Sequence, residues 1–499
     1  MHINNLVPHF TILIILLPIG SAMAAFACGY WLDKYYKEIS LVSVFITLSM
    51  SVIMALYVLS NGRVTYVPGD WKNNGWEIEF ILDFLNAPII VLIPFLCLVV
   101  FVYSLKYVPH AIPDKGRSIL YYPLLLINMG AMEGFVLAGD LFSMFMFLSA
   151  FSLSCYTLVV SGGDKKSVVA GVKYFYMGAI ASVFFLHGIA FLYASFGTLN
   201  MRQLTVHFRN WDGNVIPAVG LVLLIIGFSI KGALFPLHTW LPDAHTYAPS
   251  SVSAILSGLV VEMGIFGIIR VIYSVYGFRN IAMNFSINNI LLWLSAFAII
   301  TGAVGALLQD NIKTILAYSS ISQMGYITMG IGLGSYYGMI GSLLHIINHA
   351  IMKAALFLCV GGIIWQTGTK KKKKLQGIGK KMPAIVSAFM IAGISIIGFP
   401  PTSGFMSKWY LCLGAMQAKK SFFAIIILIG SILSAIYYIK IFNLIYFRSM
   451  PKEVKLNFET LPKSMLYSVW VLAVLCVVLG LAVNIPLLWI KPAVVLMMN

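Results

Sequence analysis

Long apolar runs alternate with short polar breaks along the whole chain. Runs of membrane-spanning length fall near 7–28, 38–59, 86–106, 117–137, 139–161, 168–195, 215–240, 247–277, 287–308, 313–335, 337–365, 382–414, 421–447 and 465–490. They predict an all-α polytopic membrane protein with fourteen transmembrane helices. The first run carries no basic leader and no small-residue cleavage site, so it is expected to be span one. One longer break, 62–80, has Pro-Gly-Asp and Asn-Asn-Gly turn signals between alternating Val, Tyr, Trp, Ile and Phe, and predicts an extracellular hairpin. Another, 199–211, sets Leu199, Leu204, Val206 and Phe208 among Arg and Asn, as a short amphipathic surface helix would.

Composition agrees with this pattern. Of 499 residues, 60% are hydrophobic and only 10% charged, too little polar surface for a soluble globule. The net charge of +17 raises the question of nucleic acid, and the distribution of the 33 Lys and Arg answers it: 20 lie in loops after odd-numbered spans, 8 in loops after even-numbered spans and the tail, and 5 inside spans. By the positive-inside rule the odd loops are cytoplasmic and both termini lie outside a cell membrane. The lysine run 370–374 reads as a solvated cytoplasmic loop near lipid headgroups, with docking of a partner subunit as the alternative. Cys28, Cys97, Cys155, Cys359, Cys412 and Cys476 are scattered singly, and no phosphate-binding glycine loop is present. Cofactors, metal sites and nucleotide binding are therefore not expected of this chain.

The chemistry lies where the apolar pattern is broken. Between Gly227 and Arg270, Lys231 sits in an apolar run, Pro236 and Pro242 interrupt it, His238, Asp243 and His245 follow, and Glu262 lies midway along the next run. Ionisable groups at bilayer depth are costly and mark ion paths, and freed carbonyls there need protein or water. Lys231 has no carboxylate at helical spacing, so its partner must come from another helix. Glu133, about 8 Å below the turn at 138–140, is a second candidate. Asp140 is expected to cap a helix, Lys173 to snorkel, and His187 to be a core residue. His345, His349 and Lys353 recur at i, i+4 and i+8, a stripe about 80° wide suited to proton hopping. A zinc pair is disfavoured because no third ligand is near. Ser319, Ser320, Ser322 and Gln323 form a polar patch expected to join helices. A second proline break, Pro400-Pro401, precedes Lys408. Two broken, lysine-bearing helices in matching places point to an inverted repeat. The expected divisions are 1–110 (three spans and the hairpin), 111–280 and 281–450 (two five-helix repeats), and 451–499 (the final span).

At FPLHTWLPDAHTYAPSSVSAILSG, LQDNIKTILAYSSISQMGYI, LLHIINHAIMKAALFL and GFPPTSGFMSKW the chain resembles the antiporter-like subunit family. Its members are large subunits of Mrp-type sodium/proton antiporters, the antiporter-like subunits of respiratory complex I, and relatives in membrane-bound hydrogenases. Length and the lack of a long C-terminal helical arm are most similar to the D-type Mrp subunits and their hydrogenase counterparts. The resemblance implies a charged axis along the membrane midplane, with Lys231, His345, His349 and Lys408 at the family's positions. It also implies partners: further antiporter-like subunits, other membrane subunits and, in a redox-driven complex, an iron–sulfur arm. Two departures stand out. Ser149, in DLFSMFMFLS, occupies the place of a span-five glutamate, and Glu262, in SGLVVEMG, that of a span-eight lysine. Glu133, differing by roughly 6 Å in depth, or Glu262 then becomes the expected partner of Lys231. The expected function is proton or sodium translocation. The alternatives are a scaffold that no longer moves ions and a subunit of an inorganic-carbon uptake complex.

Overall fold

The computed structural model describes residues 2–68, 78–209, 211, 213–277, 287–450 and 460–498. The elements in chain order are α1 (His2–Ala27), α2 (Tyr36–Asn61), β1 (Val64–Tyr66), β2 (Phe80–Leu82), α3 (Ala87–Ala111), α4 (Lys115–Leu137), α5 (Leu141–Val160) and α6 (Lys165–Phe196). Then come α7 (Met201–Arg209), α8 (Val215–Lys231), α9 (Leu241–Tyr247) and α10 (Ser250–Tyr276), the last containing two π-turns. The remainder comprises α11 (Ile287–Leu308), α12 (Ile312–Leu333), α13 (Tyr336–Thr367), α14 (Pro383–Ile397), α15 (Ser403–Gln417), α16 (Ser421–Tyr446), α17 (Lys463–Leu481) and α18 (Asn484–Met498). Among the described residues, eleven helices are long and apolar enough to cross a membrane, and α8, α14 and α18 are shorter apolar helices.

Burial marks two extremes among these helices. The most apolar stretches of α10 and α13 are buried throughout, as expected of helices that are hydrophobic all round. Helices α1, α2, α6, α16 and α17 instead expose large apolar side chains such as Phe45, Ile53, Ile432 and Ile439, the surface lipid would cover. Close helix contacts are made by glycine, as is usual where lipid removes the hydrophobic drive for association. A Cβ on Gly302 of α11 would lie 2.5 Å from the Ser322 nitrogen of α12, and one on Gly325 of α12 would lie 2.8 Å from the Ser295 oxygen of α11. Ser322 then donates across the same seam to the Ile299 carbonyl at 3.0 Å.

Helix starts follow the capping chemistry of the sequence. Asp140, expected as a cap, accepts from the Ser143 amide at 2.7 Å, and Asp164 does the same for Ser167 at 2.8 Å. Strands β1 and β2 pair antiparallel, Val64 with Leu82 and Tyr66 with Phe80, at the base of the expected hairpin; its tip, 69–77, lies outside the described residues.

Several expectations are corrected. The run 465–490 is two helices, α17 and α18, and Pro486, which has no N–H to contribute, falls in the first turn of α18, where proline is tolerated. Val206 is exposed on α7, whose buried face is Met201, Leu204 and Phe208. His187 is exposed, bonded to the Val183 carbonyl of its own helix, and not a core residue. Lys173 forms an ion pair with Asp243 at 2.7 Å, so that this pair ties α6 to α9. Lys313, at the start of the run 313–335 and one of the 20 cations assigned to loops after odd-numbered spans, is buried in the first turn of α12 and donates to the Ala248 carbonyl at 2.5 Å.

The lysine run is not a free loop. Ile312 N donates to the Lys370 carbonyl at 3.0 Å and Lys372 N to that of Asp310 at 2.8 Å. Burial pushes the Lys370 ammonium below the usual lysine range, Asp164 opposing the shift. Lys372 Nζ lies 3.0 Å from Asp310 Oδ1, and this hydrogen bond, with the adjacent charge, holds the Asp310 carboxyl below the usual carboxylate range. The folded value being the lower one, the contact is fully present above the ordinary carboxylate range and is lost as pH falls through Asp310's own value. Hydrogen-exchange protection of the Lys372 amide is therefore expected to fall below about pH 4, and to show no such step in Asp310→Asn.

Candidate functional site

Lys231 ends α8, where the chain leaves the helix for 232–240. The break is held from inside: the Ile230 carbonyl accepts from the Ala233 amide at 3.2 Å and from Trp240 Nε1 at 2.9 Å. The Lys231 ammonium points into α5, donating to Ser152 Oγ at 2.7 Å and Tyr156 Oη at 2.6 Å. Gly178 of α6 provides the room, since a Cβ there would fall 1.6 Å from Tyr156 Oη and 3.0 Å from Lys231 Nζ. Neither acid expected to pair with Lys231 does so. Glu262 is bonded elsewhere, and Glu133, fully buried in α4, has no hydrogen-bond partner at either carboxylate oxygen among the described residues. Ser149 bonds its own helix at Phe145 and stands one turn away from the residue that meets the lysine. Removal of one hydroxyl by Tyr156→Phe leaves the ammonium with Ser152 alone. At the worth of a hydrogen bond to a charged group, transport by the assembled complex is expected to fall about tenfold; unchanged flux in proteoliposomes would show that the hydroxyl is not part of the site.

The second centre lies between α10 and α13, whose most apolar stretches are buried throughout. Glu262 Oε1 of α10 contacts His349 Nδ1 of α13, and both side chains are almost completely shielded from solvent. Glu262 Oε2 and His349 Nε2 have no partner among the described residues. One turn along α13 the His345 ring stacks at 6.3 Å from that of His349. His345 is held by Gln323 Oε1 of α12 at 3.1 Å on Nε2 and by Ser407 Oγ of α15 at 2.7 Å on Nδ1. A neutral ring with its hydrogen on Nε2 satisfies both contacts. Lys353, one turn past His349, donates to the Leu316 carbonyl of α12 at 2.8 Å. Of the serines beside Gln323, Ser320 bonds Ser257 of α10 at 2.8 Å and Ser319 accepts from Tyr437 of α16 at 2.9 Å, as the helix-joining role requires.

The third centre is the break between α14 and α15, where Ser407 of the histidine centre adjoins Lys408. Here the lysine itself caps the broken helix, Nζ donating to the carbonyls of Ile396 at 2.8 Å and Ile397 at 3.1 Å. Ser431 of α16 lies 3.1 Å away and the Tyr326 ring 4.6 Å below. The two broken helices are therefore used differently: Lys231 precedes its break, whereas Lys408 follows its own and closes it.

The remaining candidates divide. His245 is buried against the Phe357 ring, both nitrogens without partners among the described residues. Beside α9 a cavity of about 620 Å³, lined by Tyr247, Ser250, Asp164, Lys370 and Lys313, reaches inward from the end of the bundle that carries the lysine run. His238 is half-buried on Phe235, and Asp243 is half-exposed in its ion pair with Lys173, so neither joins the three centres. Among the described residues, no three His, Cys, Asp or Glu gather as a metal site would require. Sequence reasoning missed Ser152, Tyr156, Ser407 and Ser431. All are hydroxyls in apolar helices, and their only sequence signal is helical spacing, as between Ser152 and Tyr156.

Comparison with known proteins gives the chain's family and fold. Residues 138–434 match the family described as NADH:quinone oxidoreductase/Mrp antiporter, transmembrane. The N-type chain of the NADH-quinone oxidoreductase of Desulforudis audaxviator is 35% identical over 497 residues, covering 95% of this chain and 96% of that one. The D-type chain of the Na(+)/H(+) antiporter of Alkalihalophilus pseudofirmus is 31% identical, covering 96% and 94%. A chain of the Mrp complex from Dietzia sp. has the same fold, with a TM-score of 0.90 at 23% identity over 99% of this chain and 98% of that one. A chain of an archaeal membrane-bound sulfane sulfur reductase gives 0.89 at 25% identity over 98% of each. The chain belongs to the NADH:quinone oxidoreductase/Mrp antiporter transmembrane family and is an antiporter-like membrane subunit.

Proposed function

We propose that this chain carries protons across the membrane as the translocating subunit of a multisubunit antiporter or a related redox-driven complex, with sodium as the counter-ion in the antiport form. The observation that carries the reading is the buried contact of Glu262 with His349, continued through His345 and Ser407 to the helix break capped by Lys408. Such groups at this depth are costly unless they are used. The cavity lined by Lys313 and Lys370 is the access from one face, the buried His245 is a relay from it, and Lys231 is the second proton-binding group. Water bridges the gaps between side chains. A charge placed at one centre alters proton affinity at the next, and this coupling moves the proton.

The finer architecture belongs to the same proposal: fourteen crossings counted with the broken helices, two inverted five-helix repeats at 111–280 and 281–450, and both termini outside. Any iron–sulfur arm would be held by partner subunits. A scaffold role is the second reading, favoured by one observation: Lys231 is met by hydroxyls and not by an acid.

The test is purification of the native complex, identification of every co-purifying subunit and of iron, and reconstitution with an internal pH dye. Proton flux driven by a sodium gradient with no iron present supports antiport; flux driven only by electron transfer through iron-bearing partners supports the redox-driven form. An assembled complex that moves no protons under either drive overturns translocation and leaves the scaffold.

A further inference from the structure

Four arginines converge on a second cavity, unrelated to the three centres. It holds about 610 Å³ and is walled by Arg63 beside β1, Arg202 and Arg209 of α7, and Arg270 of α10. Arg63, Arg202 and Arg209 are exposed at its mouth, whereas Arg270 is almost fully buried at its base. One Nη2 hydrogen of Arg270 goes to the Ala138 carbonyl at 2.7 Å, and Nη1 lies 4.0 Å from Asp83 Oδ2. Its buried Nε has no partner among the described residues. Asp83, whose Oδ1 accepts from the Leu85 amide, is the only carboxylate lining the cavity among the described residues, so the walls carry a net charge of about +3. A buried guanidinium with an idle donor is costly unless something meets it. Beside Thr205, Tyr273 and Ser274, much of the remaining wall is apolar: Phe84 and Leu85 after β2, Val206 on α7, and Leu496 and Met497 on α18, with Leu496 and Val206 exposed.

A multivalent anion with oxygen acceptors suits the guanidinium fork geometry, and the apolar side of the cavity suits hydrocarbon. We propose that this cavity binds an anionic phospholipid, its phosphate against Arg270 and the α7 arginines and its acyl chains along Leu496, Met497 and Val206. The bound lipid would tie α7 and α18 to the end of α10, elements otherwise distant in the chain. Phosphate is the shared chemistry with a free inorganic ion, and the apolar wall is the reason for choosing the lipid.

The test uses the native complex purified into a mixture of phosphatidylcholine and phosphatidylglycerol, with retained lipid counted by native mass spectrometry. Wild type is expected to retain phosphatidylglycerol preferentially, and Arg202→Gln with Arg209→Gln to lower that preference about 30-fold. Both residues are exposed, so this variant keeps the fold; Arg63→Gln, also at the mouth, is expected to weaken the preference in the same direction. Removing two charges from the lysine run, Lys373→Gln with Lys374→Gln, is expected to leave it unchanged. Equal retention in wild type and the α7 variant overturns the proposal, as does equal loss in the lysine-run variant. Displacement of the lipid by inorganic phosphate, with phosphate itself retained on the complex, assigns the cavity to the free ion and likewise overturns it.

Discussion

Replacing Lys231 with Met is expected to lower proton flux by on the order of 100-fold while the complex still assembles. Methionine has nearly the length and volume of the lysine stem, so packing against α5 and α6 is kept. What disappears is the ammonium held between the hydroxyls of Ser152 and Tyr156 at the end of α8. Those hydroxyls lose a charged partner, which costs about 1–3 kcal/mol, a loss that a large membrane bundle tolerates. The measurement is flux in proteoliposomes normalised to assembled complex on a native gel. Full flux would remove Lys231 from the path, and flux lost only in proportion to assembly would make it structural.

The second large effect is expected at Glu262. Glu262→Gln keeps the shape and an oxygen that can face His349, but it removes the acid from the buried contact. Flux is expected to fall by on the order of 100-fold with normal assembly. Glu262→Ala differs, because it leaves His349 buried without its partner. Breaking one side of a buried pair costs about 3–5 kcal/mol, so assembly itself is expected to suffer. A glutamine variant with wild-type flux would show that the carboxylate only locks α10 to α13.

The two substitutions also show what is legible in the sequence. Ionisable residues in apolar runs announce themselves, so Lys231, Glu262, the histidine ladder and Lys408 all stand out from the apolar pattern alone. Partner choice does not. Ser149 and Ser152 both bond their own helix four residues back, at Phe145 and Leu148, so nothing local separates them. Three residues apart they share a helix face, and the rise of roughly 4.5 Å between them puts Ser152, not Ser149, at the level of Lys231. Glu133 shows the same limit: its depth fits the missing acid, yet depth says nothing about which way a helix faces. The helix boundaries are legible where caps and prolines stop the backbone, as at Asp140 and at 398–402. They are not legible between α17 and α18, where apolar sequence continues past the helix end. Lys173 and Asp243, 70 positions apart, are paired by tertiary packing alone.

The central claim is that the buried centres act in series on one proton path. Residues that act as a unit give losses that do not add. The direct measurement is proton flux through assembled wild-type complex, Lys231→Met, Lys408→Met and the double variant, under one driving force. Two gates in series predict that each single variant lowers flux on the order of 100-fold and that the double variant is no slower than the worse single one. Losses that multiply in the double variant, or a single variant with wild-type flux, would contradict the account.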